Sequence, residues 1–309
     1  MEHSARFTDY ILSAKFFAND PIVAVDVGVR GGFESFLKEY YGEWVRLIGF
    51  DGDPDVKNED GLQGKEVYPI VIAQNDNEKR DFFMTAYPAG CSLFPIMRSQ
   101  AGRFPLESSL ETISVTKVIT RSLSSVMKEI GVDHIDYLKM DVEGGERDVL
   151  LGMGSLLNNV SAVSTEALFR PMRIGQSVFR DIDLVMSMNG FFIAYMINYK
   201  HTRKTLSVNP FPEDGGETLW AQVLYFNDIV TKMRDGTRNV NKRDVIVTAS
   251  MMEIRGFPDC AIEVIQTAEE YGIIDGAELY LDLLTPFVAG QQVSFKQYWS
   301  MKIAKHKGD

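Results

Sequence analysis

Histidine and cysteine are scarce in this chain, with four of the first and two of the second in 309 residues. Cys91 and Cys260 stand far apart and lack the close pairing that thiolate metal sites and redox motifs require, so a disulfide framework and a zinc module are excluded. The histidines form no metal set: His3 and His306 lie near the termini, His134 precedes a strand, and only His201 is placed to act as a base. Positive charge is in deficit as well. The net charge is −11, and residues 1–228 carry 22 Lys/Arg against 32 Asp/Glu. An acidic chain is poorly suited to tracking a nucleic-acid backbone, so no nucleic-acid partner is expected. Long apolar runs are missing too, none approaching the ~20 residues of a membrane span. The opening residues lack the basic-then-apolar order of a secretory leader. A cytoplasmic protein without a membrane span is the expectation.

With 45% apolar and 24% charged residues the composition is that of a globular protein. The chain is organised around residues 135–152, I-D-Y-L-K-M-D-V-E-G-G-E-R-D-V-L-L-G. Its first half reads as a strand buried on both faces. Lys139, Asp141 and Glu143 interrupt it at alternating positions and so point to one side while the chain stays extended. Gly144 and Gly145 release the backbone, and a short helix follows with Gly152 as its stop. Charged side chains in such a place cost free energy unless they are paired or used. Ligands of parallel sheets bind outside the carboxyl ends of strands, where Asp141 and Glu143 fall.

A second cluster begins at the strand Ile22–Val27. Asp26, Gly28, Arg30, Gly31 and Gly32 form a glycine turn ahead of a helix, the geometry that brings a ligand onto backbone amides. Arg30 stands where a dinucleotide-binding turn wants its second glycine. A second strand, Val45–Phe50, ends in Asp51, spaced from the turn as a carboxylate that accepts hydrogen bonds from a ribose diol; Asp53 reads as the turn residue.

The run K-M-D-V-E-G-G-E, with the turn Asp26-x-Gly28-x-x-x-Gly32, closely resembles the signatures of the FkbM-type S-adenosylmethionine-dependent methyltransferases. The resemblance covers residues 20–228. It implies a Rossmann-like α/β methyltransferase fold, a mostly parallel seven-stranded sheet with an antiparallel last strand. It also implies S-adenosylmethionine as cofactor, held by Asp26, Gly28, Arg30, Gly31, Gly32, Asp51 and Asp141, with Ala73 and Gln74 facing the adenine. Cys91-Ser92-Leu93 is similar to a short element of the family, and Cys91 is read as packing. Where the family has leucine-aspartate, this chain has Leu123-Ser124, with the serine able to cap a helix.

Along the rest of the chain, Phe7–Phe17 has helical spacing and is expected over the sheet edge or the cofactor site. Val67–Ala73 is expected as a third strand near an edge because of Pro69, Ile113–Ile119 as a strand, and 85–111 as a long functional or mobile loop. Strands at Ala162–Ala167, Phe191–Ile197 and Leu219–Phe226 follow, the last two joined directly, which implies the antiparallel strand. Residues 1–228 are expected to form the methyltransferase domain and 229–309 a helical C-terminal extension. In that extension Lys232–Asp244 reads as a linker, the stripe Ala261–Tyr271 and Leu279–Phe287 as helices, and the helices as a means of homo-oligomerisation.

Asp141, Glu143 and Glu166 are the candidate catalytic carboxylates, with Lys139 as catalytic candidate or as buried counter-charge. Two schemes fit. A carboxylate acts as general base toward a hydroxyl, or Asp141, Glu143 and Glu166 hold a divalent cation, magnesium or manganese. The leading reading is an O-methyltransferase acting on a sugar or other polyhydroxylated small molecule. Arg170, Arg173 and the loop Lys200–Lys204 would face an anionic sugar. A nicotinamide-dependent oxidoreductase and a non-catalytic nucleoside-binding module are the alternatives.

Overall fold

The structure, a computed structural model, describes residues 5–58, 61–63, 65–205, 215–286 and 291–306. The strands are β1 (Ile22–Val27), β2 (Val45–Phe50), β3 (Glu66–Tyr68), β4 (Val71–Ile72), β5 (Lys79–Thr85), β6 (Thr112–Arg121), β7 (Tyr137–Met140), β8 (Ala162–Leu168), β9 (Phe191–His201) and β10 (Glu217–Asn227). The helices are α1 (Arg6–Ser13), α2 (Ser35–Tyr41), α3 (Arg98–Ala101), α4 (Leu123–Glu129), α5 (Glu146–Met153), α6 (Phe179–Met188), α7 (Ile229–Arg234), α8 (Lys242–Ile254), α9 (Pro258–Glu270), α10 (Glu278–Leu284) and α11 (Phe295–His306). They divide between two compact units. One is Val23–Ser35 with Val45–Phe226, and the other is Met1–Ile22, Phe36–Trp44 and Asn227–Asp309.

The first unit is built on a seven-stranded sheet of order β3-β2-β1-β7-β8-β10-β9. The pairs β2–β3, β1–β7 and β7–β8 are parallel, and β10 runs antiparallel to β8. Short strands of Val, Ile and Leu joined by helices can pair only in parallel, whereas β9 leads into β10 with no intervening helix. The result is the expected Rossmann-like α/β sheet with an antiparallel last strand.

Strand alternation divides the sheet into two chemically distinct faces. Val23, Val25, Val27, Leu138, Met140, Val163 and Val223 pack with Val126 and Met127 of α4, Val149 and Met153 of α5, and Ile182 and Met186 of α6. Each such burial contributes about 1.5–3 kcal/mol. On the opposite face the register aligns Asp26 with Lys139, Lys139 with Ser164, Glu166 with Gln222, and Leu168 with Trp220. This second face carries the polar side chains.

The expected third strand is broken in two at Pro69. β3 joins the large sheet, while β4 joins a three-stranded sheet of order β4-β6-β5 that takes up the strand expected at 113–119. Proline has no N–H for the ladder, so the chain changes sheets there. The loop 85–111 is largely built, with α3 inside it, and Met97 N–H bonds to Met172 O at 2.8 Å. Ser122, not Ser124, caps α4, and Ser124 Oγ instead donates to Gly152 O at 2.8 Å.

In the second unit α1 is shorter than expected, and its first amides donate to Glu253 of α8: Phe7 N at 3.0 Å and Thr8 N at 2.8 Å. Its Phe7 ring meets Tyr280 of α10 edge-on at 5.4 Å. The apolar stripe read at 7–17 is thus received by C-terminal helices. The linker expected at 232–244 is also shorter, because Ile229, Val230 and Met233 are buried in α7 and α8 already begins at Lys242. α8 is buried from Val245 through Glu253, on all sides, which hides it from a search for one apolar stripe. α9 buries Ala261, Val264, Ile265 and Ala268 as the stripe implies, whereas Tyr271 follows its last turn and is exposed; Phe287 lies outside the described residues. Among the described residues no helix is long and apolar enough to cross a membrane.

Candidate active site

A cleft with about 640 Å³ of empty space, open to solvent, lies at the carboxyl ends of β1, β2 and β7. Its polar lining includes Gly28, Arg30, Asp51 and Asp141, and its apolar lining includes Phe50, Ile70, Val71, Ile72, Phe82 and Leu93. Two amides following β1 build the turn, with Gly28 N and Val29 N both donating to Phe50 O at 2.8 and 3.1 Å. Gly28 has φ 88°, and a Cβ on it would lie 1.9 Å from the Asp141 carbonyl oxygen, so no other residue fits between β1 and β7. Gly31 and Gly32 meet nothing within 4 Å and are glycine for their φ of 88° and 96°.

Asp51 Oδ1 accepts from Asp53 N at 2.8 Å, and burial raises its pKa against the Asp53 amide and the Arg30 charge. Arg30 is held by Asp53, Nη2 to Oδ2 at 2.6 Å, so Asp53 does more than form the turn. Ala73 and Gln74 do not line the cleft. Ala73 N bonds to Arg121 O at 2.9 Å, which carries this segment into the small sheet, and Ile70–Ile72 form the wall instead. An apolar wall for a base beside a carboxylate for hydroxyls is a donor set that fits an adenosyl group. Cys91 lines the same cleft.

The charged residues of the central stretch are sorted by their partners. Lys139 Nζ donates to Asp26 Oδ1 at 3.1 Å, the counter-charge arrangement. Burial nonetheless pushes Asp26 up to about 7, and Asp26 Oδ2 has no hydrogen-bond partner among the described residues. Burial opposes the Lys139 charge, but Asp26 and Asp141 outweigh it and raise its pKa. Asp141, one residue beyond β7, is fixed by its own N–H to Val27 O at 2.9 Å. Asp141 lines the cleft, and burial raises its pKa while Lys139 opposes. Glu166 of β8 is pushed up to about 9, first by burial and then by the charges of Asp141, Glu143 and Glu146. Its protonated form is therefore the favoured one.

Glu143 is turned elsewhere. It sits at φ 56°, a left-handed conformation rare for its residue type, and its Oε2 accepts from Arg173 Nη2 at 3.1 Å. Burial raises the Glu143 pKa and Arg173 opposes. Arg173 is 1% exposed and also donates to Gly90 O at 2.5 Å and Phe94 O at 3.4 Å. It is a buried cross-link between the 90–94 segment and the site, not a surface cation facing an acceptor. Two residues that sequence reasoning passed over complete the loop. Glu146, pushed up to about 7 by burial, accepts from Val142 N at 3.2 Å and Gly144 N at 3.1 Å, and Ser92 Oγ donates to Glu143 O at 2.9 Å. A carboxylate two residues after Gly144 was the available signal for Glu146.

Among the described residues no three His, Cys, Asp or Glu side chains come together to hold a metal ion. The magnesium or manganese site expected of Asp141, Glu143 and Glu166 is not assembled among the described residues, and the Glu143 carboxylate is engaged by Arg173.

Residues 19–193 match the methyltransferase FkbM domain, more than half of the chain. The chain belongs to the FkbM methyltransferase family. That makes it an S-adenosylmethionine-dependent methyltransferase, and the oxidoreductase alternative falls away. No curated protein sequence matches it. Among solved structures it is similar to the precorrin-6y C5,15-methyltransferase of Geobacter metallireducens, at 9% identity over 71% of this chain and 87% of that one, with a TM-score of 0.33. It is also similar to the magnesium protoporphyrin IX methyltransferase of Synechocystis with bound S-adenosylmethionine, at 10% identity over 72% and 79%, with a TM-score of 0.33. The Burkholderia thailandensis 1,6-didemethyltoxoflavin-N1-methyltransferase is a further likeness, at 11% identity over 73% and 79%, with a TM-score of 0.31. Likenesses this weak say nothing of the acceptor of this FkbM methyltransferase.

Proposed function

We propose that the chain transfers a methyl group to a hydroxyl of a small polyhydroxylated molecule, with Asp141 as general base. The observation that carries this reading is the Asp141 carboxylate. Asp141 lines the cleft, no protein group donates to its carboxylate among the described residues, and Lys139 and Glu166 are near enough to move its charge balance. A methyl leaving a sulfonium needs no acid, but a neutral hydroxyl that attacks must lose its proton, and a carboxylate with a raised pKa is a better proton acceptor near neutrality. Gly28 and Asp51 would hold the adenosyl part of the donor, with Ile70, Val71 and Phe82 against its base. When bound, S-adenosylmethionine supplies a methyl on positively charged sulfur. Asp141 takes the acceptor proton; Glu166, already protonated, donates a hydrogen bond; Lys139 holds Asp26 in place beneath them.

The donor assignment is tested by calorimetric titration with S-adenosylhomocysteine. Asp51→Ala should weaken binding by roughly 1.5–3 kcal/mol, the cost of losing hydrogen bonds to a charged group. Unchanged affinity would remove Asp51 from the donor site. Transfer itself is tested with methyl-labelled donor and a panel of hydroxyl and amine acceptors. Labelling confined to amines would overturn the O-directed reading.

A further inference from the structure

We infer that Arg170 and Arg203, which share the single carboxylate of Glu217, form an anion-binding subsite that takes a carboxylate or phosphate group of the acceptor. The inference rests on the transfer reading above for the chemistry at Asp141. The subsite itself is read from the sheet and its ion pairs.

β8 is parallel to β7, and β10 runs back antiparallel beside β8. The end of β8 and the start of β10 therefore meet at the carboxyl edge of the sheet, the edge that carries Asp141. There Leu168 stands opposite Trp220, and Phe169 N–H donates to Leu219 O at 2.9 Å. Ligands of parallel sheets bind at this edge. Arg170 lies two residues past β8, Glu217 opens β10, and Arg203 lies two residues past β9. Arg170 Nε donates to Glu217 Oε1 at 2.5 Å, and Arg203 Nη2 donates to Glu217 Oε2. Each guanidinium has a second anchor. Arg170 Nη1 donates to Gln100 Oε1 at 3.2 Å, and the Arg203 guanidinium lies 4.3 Å from the centre of the buried Phe104 ring. Both forks are thus held in one orientation before any ligand arrives.

Two guanidiniums on one carboxylate leave one positive charge unmet. Arg203 Nη1 is buried without a hydrogen-bond partner among the described residues, and Arg170 Nη2 has no acceptor there either. A buried donor left unmade costs free energy, and guanidinium forks bind carboxylates and phosphates through paired N–H groups. The neighbouring charges are settled otherwise. Lys204 is held by Glu107 at 2.7 Å and Arg173 by Glu143 at 3.1 Å. His201 accepts from the Trp220 indole N–H at 3.2 Å, and burial lowers its pKa, so it is neutral at pH 7. The expectation of an anionic acceptor thereby narrows from a basic loop to one pair of arginines. Four residues separate Arg170 from Glu166, about 13 Å of extended chain. That exceeds the Debye length of about 8 Å, so the carboxyls at the transfer end repel an anion held at Arg170 only weakly.

The test uses the full chain saturated with S-adenosylhomocysteine and probes matched except for charge, followed by calorimetry and saturation-transfer NMR. One set is glucose, glucuronate and glucose 6-phosphate; the other is 4-hydroxybenzamide and 4-hydroxybenzoate. In at least one set an anion should bind about tenfold more tightly than its neutral counterpart. A tighter glucuronate or hydroxybenzoate assigns a carboxylate, and a tighter glucose 6-phosphate a phosphate. Arg170→Gln and Arg203→Gln should each bring that preference within about threefold, while S-adenosylhomocysteine titrates as in the wild type. Glu217→Gln frees both guanidiniums and should tighten the anion by about threefold or more, which a purely structural ion network would not do. Equal binding of anion and neutral probe in both sets, a preference that survives both arginine substitutions, or no tightening in Glu217→Gln would overturn the inference. Anion binding without transfer of labelled methyl to any hydroxyl would retire the transfer reading and leave the subsite standing.

Discussion

Asp141 and Glu143 look equivalent in the sequence, two carboxylates at alternate positions after one strand, and the fold separates them. Asp141 is still in step with β7, on the second face, and lines the cleft. Glu143 follows Val142 into a left-handed backbone conformation and is captured by Arg173. Asp141→Asn keeps the shape and removes the charge. It should leave S-adenosylhomocysteine affinity within about threefold and lower kcat by 10²–10⁴, the usual worth of a positioned general base. Comparing calorimetry with single-turnover transfer separates the two effects, and wild-type turnover would make the carboxylate structural. That Gly28, Asp51 and Asp141 share one cleft was legible because each follows a strand at a fixed offset: Gly28 after β1, Asp51 after β2, Asp141 after β7. Ala73 and Gln74 were misplaced because that rule assumes an unbroken third strand. Pro69 breaks it, and the wall of the cleft comes from residues before the expected strand end.

At the level of elements, the loop between β7 and α5 is held by long-range partners rather than by its own glycines. Glu146 closes it from within, Ser92 holds Glu143 O, and Arg173 ties Glu143 to the 90–94 segment. Apart from Glu146, whose partners lie two and four residues back, these pairings have no local spacing, so the sequence shows the charges without their destinations. Arg173 was accordingly read as a free cation. Removing one partner of a buried ion pair strands the other, so Arg173→Met should cost roughly 3–5 kcal/mol of stability. Adding Glu143→Gln should recover part of that loss, since the stranded charge goes with it. Urea titrations of the two single variants and the double variant check this. Strictly additive losses would mean that the ion pair is not the element that ties the loop. The helical elements divide along the same line. α9 was legible from one apolar stripe, whereas α8, buried on all sides, has no stripe to find.

Over the whole molecule the excess of carboxylates has a consequence for pH. Asp26 and Glu146 are pushed up to about 7 and Glu166 to about 9, burial being the largest cause in each case. Unfolded carboxyls titrate near 4, so between there and these raised values the native state holds protons that the unfolded chain has released. Stability from such groups is fully present below about pH 4 and is lost as pH rises through their native pKa values. Asp76, lowered to about 2 by hydrogen bonds from Ser125 and the Ser122 amide, acts in the opposite sense and only in acid. The methyltransferase should therefore lose stability from pH 5 to pH 9, by at most about 1.4 kcal/mol per pH unit for each group. Glu166 should contribute less than that, because it is only half-buried and solvent screens it. Between pH 7 and pH 9 Glu166 alone among the three is still titrating. Urea midpoints measured at pH 5, 7 and 9 should fall throughout in the wild type, and Glu166→Gln should remove the fall between 7 and 9 while keeping that below 7. An unchanged slope in the variant would mean that Glu166 is already ionised at neutral pH. It could then no longer donate a hydrogen bond beside Asp141, and the division of roles between the two carboxyls would have to be reversed.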